Sequence, residues 1–124
     1  SNPHKRQMNK FIWPLSTTVA KWQQYTIRLG LKAKKDRDVV GSASVDFLMY
    51  SGYIVMAYFW AQMAQAAYEK LATDVENRDF YRAKIKTAEF YFERLLPRTK
   101  SLAVTMMADP KTLMQLDEEL LSFL

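Results

Sequence analysis

Apolar residues recur at helical spacing along almost the whole chain and nowhere alternate over a useful length. That pattern predicts an all-helical protein. A first helix is predicted from about Ser16 to Lys35, starting just after Pro14. Leu15, Val19, Trp22, Thr26, Leu29 and Ala33 recur at spacings of four and three and make one stripe. Lys21, Arg28, Lys32 and Lys35 lie off that stripe, so the outer face is basic. Asp36-Arg37-Asp38 breaks the helix, and either aspartate is placed to cap the next one.

The second predicted helix runs from there to about Thr73, some 36 residues and roughly 54 Å. Val40, Ala43, Phe47, Tyr50, Ile54, Ala57, Ala61, Ala64, Tyr68 and Leu71 keep a three-four spacing over its length. A second stripe, Val45, Leu48, Gly52, Val55, Phe59 and Ala66, lies beside the first. A helix apolar on more than one face must be covered on several sides, which makes this the central element. A polar turn at 74–77 comes next, with Asn77 or Asp79 as cap. The third helix is predicted from about Phe80 to Ala108, with Tyr81, Ile85, Ala88, Phe92, Leu95, Thr99, Leu102 and Met106 as its seam. Pro97 removes a donor and crowds the carbonyl of Glu93, so a kink is expected there. Asp109-Pro110 reads as the cap and first-turn proline of a short last helix to about Ser122, docked by Leu113, Leu116, Leu120 and Phe123. The fold predicted is an all-α, antiparallel up-down four-helix bundle with a short last helix.

No charge interrupts the 22 residues from Phe47 to Tyr68, a length that spans a bilayer. Composition argues against a span. Gln62 and Gln65 lie inside the run, and Tyr50, Tyr53, Tyr58 and Trp60 are spread through it rather than gathered at its ends. A buried core or an oligomer interface fits better.

Composition narrows the chemistry. At 124 residues with 49% hydrophobic, the chain has one domain's length and enough apolar surface for a core. It has no cysteine, which excludes disulfides, thiol catalysis and cysteine metal sites and fits a cytoplasmic location. No Glu is followed three residues on by a His, so a di-iron bundle is excluded. The only histidine, His4, sits too near the start to serve a serine nucleophile. Gly30, Gly41 and Gly52 are isolated and form no phosphate-cradling loop. No catalytic, cofactor-binding or metal-binding residue is therefore assigned. Residues 1–10, opening with Ser-Asn in place of an initiator Met and holding no apolar leader, read as a cleavage scar and flexible tail before a domain over 11–124.

The charge is uneven. Residues 1–37 hold nine Lys/Arg and one acid, Asp36, whereas the rest hold nine against twelve, so a +8 segment precedes a −3 remainder. A basic segment meets nucleic acid, anionic lipid or an acidic surface, or simply faces the rest of a longer chain; the last is the plainest reading. Structural or interface candidates are Asp46, Gly52, Trp60, Phe92, Arg94 and Pro97. Asp46 opens the uncharged run and reads as a structural partner for Arg94 or another cation across the bundle, ahead of a functional acid. Mid-helix Gly52 costs about 1 kcal/mol against Ala, which a close helix crossing would explain.

Two segments carry a resemblance. One is GSASVDFLMYSGYIVMAYFWAQMA, residues 41–64, with Asp46, Phe47, Leu48, Gly52, Ala57, Trp60, Met63 and Ala64. The other is residues 80–99, containing TAEFYFERLLPRT, with Phe80, Tyr81, Ala83, Lys84, Thr87, Ala88, Phe90, Tyr91, Phe92, Arg94, Leu95, Leu96, Pro97 and Thr99. Leu113-Met114-x-Leu116 is a weaker echo. These resemble the C-terminal helical domain of large bacterial acyl-CoA dehydrogenases, including those similar to 3-methylmercaptopropionyl-CoA dehydrogenase. The basic first third and the ending DEELLSFL depart from that family's general pattern.

The resemblance implies a parent FAD enzyme that oxidises acyl-CoA to 2-enoyl-CoA in fatty acid β-oxidation, with base and flavin contacts in upstream domains. No catalytic or flavin-contacting residue carries over, so FAD is expected in the parent and not in this fragment. Expected partners are the catalytic domains of the same chain, the parent's acyl-CoA substrate and a second copy in a homodimer. Weaker readings are a stand-alone helical interaction module, nucleic-acid binding through the basic first helix, and a membrane-surface role.

Overall fold

The computed structural model describes residues 4–74, 76–109 and 118–123. Among them there is no strand, and three long helical rods account for the fold. The chain is all-α. Helix α1 spans Lys5–Lys35 and α2 spans Asp38–Thr73. The third rod begins as α3, Arg78–Phe90, and ends as α4, Thr99–Met106. A further helical turn, α5, covers Glu118–Leu121. The rest of the short last helix expected over 110–122 lies outside the described residues.

Helix α1 starts at Lys5, inside the segment expected to be a flexible tail, and runs straight through Pro14. Packing explains the difference. Met8 and Phe11, upstream of the proline, are buried in the core at 2% and 1% exposure. Pro14 leaves one carbonyl of the preceding turn without its helical donor. The buried pair outweighs that loss and holds the first turns in register. Downstream, the hydroxyls of Thr17 and Thr18 donate to the carbonyls of Trp13 and Pro14 at 2.9 and 2.7 Å.

The two turns are held by short polar groups. Asp36 closes α1 with its N–H on the Lys32 carbonyl, and its carboxylate accepts the N–H of Asp38 at 3.0 Å, satisfying a first-turn donor of α2. After α2, the Asp74 carboxylate accepts the N–H of Glu76, and Asn77 adopts the left-handed conformation at φ 58°. Asparagine tolerates that region better than most residues. Arg78 then reaches back and donates to the carbonyls of Leu71 and Asp74, capping the end of α2.

Helix α2 is the central rod, with both neighbours packed on it. Ala43, Ala57, Ala61, Ala64 and Ala67 are buried along it, so small side chains let the flanking helices approach closely. The core has two lobes. One gathers Met8, Phe11, Ala57, Ala61, Ala64, Ala88, Tyr91, Phe92 and Leu96. The other gathers Ala43, Tyr50 and Met106, with Trp22, Tyr25, Leu29 and Phe47 packed around them. Aromatic edges lock both lobes: Phe11 meets Phe92 at 5.1 Å between ring centres, and Tyr25 meets Tyr50 at 5.9 Å.

The third rod changes geometry where Pro97 predicts a kink. Pro97 has no N–H for the carbonyl of Glu93. The helix widens to π form over Tyr91–Leu95, tightens to 3-10 form over Leu96–Arg98, and resumes as α4 at Thr99.

Candidate interaction surface

Of the six candidate residues, the described structure puts two in or against the core. Phe92 is buried on α1 through Phe11, and half-buried Trp60 packs against the same lobe from α2. Pro97 is exposed and lines a groove between α1 and α4.

Asp46 and Arg94 are not brought together. Half-buried Asp46 accepts a hydrogen bond from the Thr105 hydroxyl of α4 at 2.7 Å, a neutral donor in place of the expected cation. Arg94 is exposed, in a shallow surface dip shared with Glu89, Glu93 and Arg98. The ion pairs among the described residues are Lys10–Glu89, Lys86–Glu89 and Arg82–Asp79.

Gly52 is not at a helix crossing within the described chain. It is exposed, and a Cβ built on it meets open space. Its surroundings are informative. Val45, Leu48, Val55 and Phe59 of the second α2 stripe are all exposed, at 65%, 73%, 51% and 50%. Met49, Met56 and Tyr58 widen the same apolar surface. Apart from Val40, exposed near the start of α2, the first stripe is packed by α1 and the third rod, whereas the second faces outward with glycine at its middle. An apolar face of this kind on a folded domain marks an interaction surface. Among the described residues α2 is the one helix long and apolar enough to cross a membrane, a test that core helices also pass.

The cross-bundle polar contacts have no signature in the sequence. The Trp22 indole N–H donates to the Ser51 hydroxyl at 2.8 Å. The Tyr50 hydroxyl donates to the Thr18 carbonyl, and that of Tyr91 to the Tyr53 carbonyl. Burial pushes the phenols of Tyr50 and Tyr91 up to about 12. Lys10 and Glu89 pair at 2.7 Å. The hydrogen bond from Lys10 is the main reason the Glu89 carboxyl titrates below its ordinary range. Burial pulls the Lys10 ammonium down, but Glu89 and the Tyr68 hydroxyl outweigh it and leave Lys10 above the usual lysine value. Lys10 also sits over the rings of Phe11 and Tyr68.

The described residues do not fit a flavin. All three glycines lie inside helices, and none has the positive φ that turns a loop around a diphosphate. Each buried side-chain nitrogen and oxygen among the described residues already has a partner. No group of three or more His, Asp or Glu among them is placed to hold a metal ion.

Residues 2–117 match the profile of a family described as Acetyl-CoA dehydrogenase C-terminal like. No curated protein and no solved structure matches the chain.

Proposed function

Because this chain belongs to the family of acetyl-CoA dehydrogenase C-terminal-like domains, we propose that it is a packing domain of an FAD-dependent acyl-CoA dehydrogenase, seated on the catalytic domains of its own chain. It does no chemistry itself. The observation that carries the seating is the outward stripe of α2, Val45, Leu48, Gly52, Val55 and Phe59, apolar, uncharged and uncovered. Burying such a stripe contributes about 25 cal/mol per Å² of apolar surface removed from water. Gly52 lets a facing backbone come close at its midpoint.

The parent, on this reading, is a cytoplasmic, homodimeric bacterial enzyme of the kind similar to 3-methylmercaptopropionyl-CoA dehydrogenase, and it draws its FAD and acyl-CoA sites from the upstream domains. The experiment compares the full-length parent with one cut before Phe11 and with a Leu48→Glu/Val55→Glu variant. Sedimentation, flavin content and melting temperature are read for each. Loss of assembly or flavin retention in both altered forms supports the reading. A parent unchanged in all three measurements overturns it. A natural chain that carries no upstream domains would instead make this a stand-alone helical interaction module.

A further inference from the structure

Helix α1 carries eight lysines and arginines and no acid from Lys5 to Lys35. All eight are exposed, and Lys10 is the one that enters an ion pair among the described residues. The same helix exposes large apolar side chains, Trp13, Ile27 and Leu31 foremost, at 69%, 63% and 58%. One solvent-facing surface therefore combines unneutralised positive charge with apolar area.

The two characters are arranged in rows. The 18 positions from Trp13 to Leu31 make about five turns and about 27 Å, so both side chains leave the helix in one direction. Ile27 lies about 40° from that line, and the exposed, uncharged Ala20 and Gln24 lie within about 20° of it. Cations flank the line on both sides: Lys21, Arg28 and Lys35 at about 40–80° one way and Lys34 at about 60° the other. Met8, Phe11 and Trp22, which pack α1 into the two core lobes, lie about 140–180° away. The line thus points away from the bundle.

An apolar line between rows of cations fits a surface that is apolar beneath and anionic at its boundary. Tryptophan favours that boundary, where its ring meets lipid and its N–H meets water. Nucleic acid would take the cations and stack on Trp13, but it offers nothing to Ile27 and Leu31. We propose that the outward face of α1 docks on an anionic phospholipid bilayer, with Trp13, Ile27 and Leu31 entering the headgroup boundary and Lys21, Arg28, Lys34 and Lys35 against the lipid phosphates. The domain lies on the bilayer and does not cross it. The α2 stripe belongs to another helix, so this contact stands whether or not that stripe is seated on a parent.

Flotation with vesicles of phosphatidylglycerol in phosphatidylcholine reads the contact. This chain and the full-length protein should both rise with them, and neither with phosphatidylcholine alone. Because an anionic leaflet attracts each nearby cation, Lys21→Ala/Arg28→Ala/Lys35→Ala should weaken partitioning about tenfold or more. Trp13→Ser/Leu31→Ser should weaken it about tenfold through lost apolar burial. All five positions are exposed, so the fold is kept, and an unchanged helical circular dichroism spectrum checks it. The chain has no cysteine, so a single environment-sensitive dye on Ile27→Cys or on Met56→Cys separates the α1 face from the α2 face. Anionic vesicles should blue-shift the dye at position 27 and not at 56. Equal binding to neutral vesicles, undiminished binding by both substituted forms, or a shift at 56 as large as at 27 overturns the proposal. So does a full-length protein that stays behind while this chain rises, because α1 is then covered by the rest of the protein. Binding to a single-stranded oligonucleotide without flotation assigns the helix to nucleic acid and overturns it too.

Discussion

The hydroxyl of Tyr91, the residue at which the third rod widens into π geometry, donates across the bundle to the main-chain carbonyl of Tyr53 at 2.7 Å. The contact ties the irregular turn to the middle of α2. Its neighbour Phe92 meets the Phe11 ring of α1 while keeping its own ring edge-on to that of Tyr91, 6.0 Å away. One disturbed turn thus sends adjacent aromatic side chains to both other helices. A regular α-helix separates successive side chains by about 100°, and the wider π turn alters that spacing where Pro97 breaks the hydrogen-bond ladder.

Tyr91→Phe removes the donor and keeps the ring. The Tyr53 carbonyl lies inside α2 and is not orphaned by the change. The expected loss is therefore about 0.5–1.5 kcal/mol, the net worth of one hydrogen bond. Urea unfolding with an unchanged slope checks it. A midpoint that does not move would show that the hydroxyl contributes nothing to stability.

Phe92→Ala should cost more, about 3–5 kcal/mol, because it empties a site packed by Phe11 and Leu96 in the larger core lobe. Ala57→Leu at a position with 0% exposure should cost about 1–3 kcal/mol by overpacking against the flanking helices. Thermal denaturation of both variants beside the parent chain decides this. A tolerated Ala57→Leu would mean that the α2 seam is not closely packed.

Stability should fall at both ends of the pH scale. Glu89 titrates below its ordinary range when folded, so its contribution is present above the unfolded carboxyl value and is lost as pH falls through the folded one. Lys10, Tyr50 and Tyr91 titrate higher when folded, so theirs are present below the unfolded values and are lost as pH rises, for the tyrosines between about 10 and 12. Glu89→Gln should flatten the acid limb while lowering neutral stability by no more than about 1 kcal/mol, since the pair is partly exposed. Tyr50→Phe/Tyr91→Phe should flatten the alkaline limb. Unfolding measured from pH 3 to 12 reads both arms, and limbs unaltered by these substitutions would count against the assignment.

The helical rods were legible because three-four spacing survives along them. The stripe through Ala43, Tyr50, Ala57, Ala61 and Ala64 is the buried seam of α2, as its periodicity implies. Pro97 was legible as a defect because a missing N–H acts locally. Pro14 misled for the complementary reason: its cost is local, but the burial of Met8 and Phe11 that overrides it depends on residues some 80 positions away, such as Phe92. Asp46 misled likewise. A carboxylate at the edge of an apolar run needs a donor, yet nothing local says whether Arg94 or Thr105 supplies it. Periodicity showed that α2 carries two apolar stripes, and only the packed arrangement shows which of them α1 and the third rod leave uncovered.

Gly52 gives the sharpest separation between a domain that stands alone and one that is seated on a parent. It sits in the interior of α2, exposed, with open space where a Cβ would go. In the isolated domain, Gly52→Ala should therefore stabilise by about 0.5–1 kcal/mol, through helix propensity and a less flexible unfolded chain. Gly30→Ala, in the same open situation on α1, should do the same and serves as the control. In the full-length parent the two should part. Gly30→Ala keeps its gain, whereas Gly52→Ala places a methyl at the centre of the Val45–Phe59 stripe and weakens the seating, and Gly52→Leu weakens it further. The readouts are the melting temperature of the isolated domain and the sedimentation of the parent. If Gly52→Leu leaves the parent's assembly intact, the outward stripe of α2 is not where this domain is held.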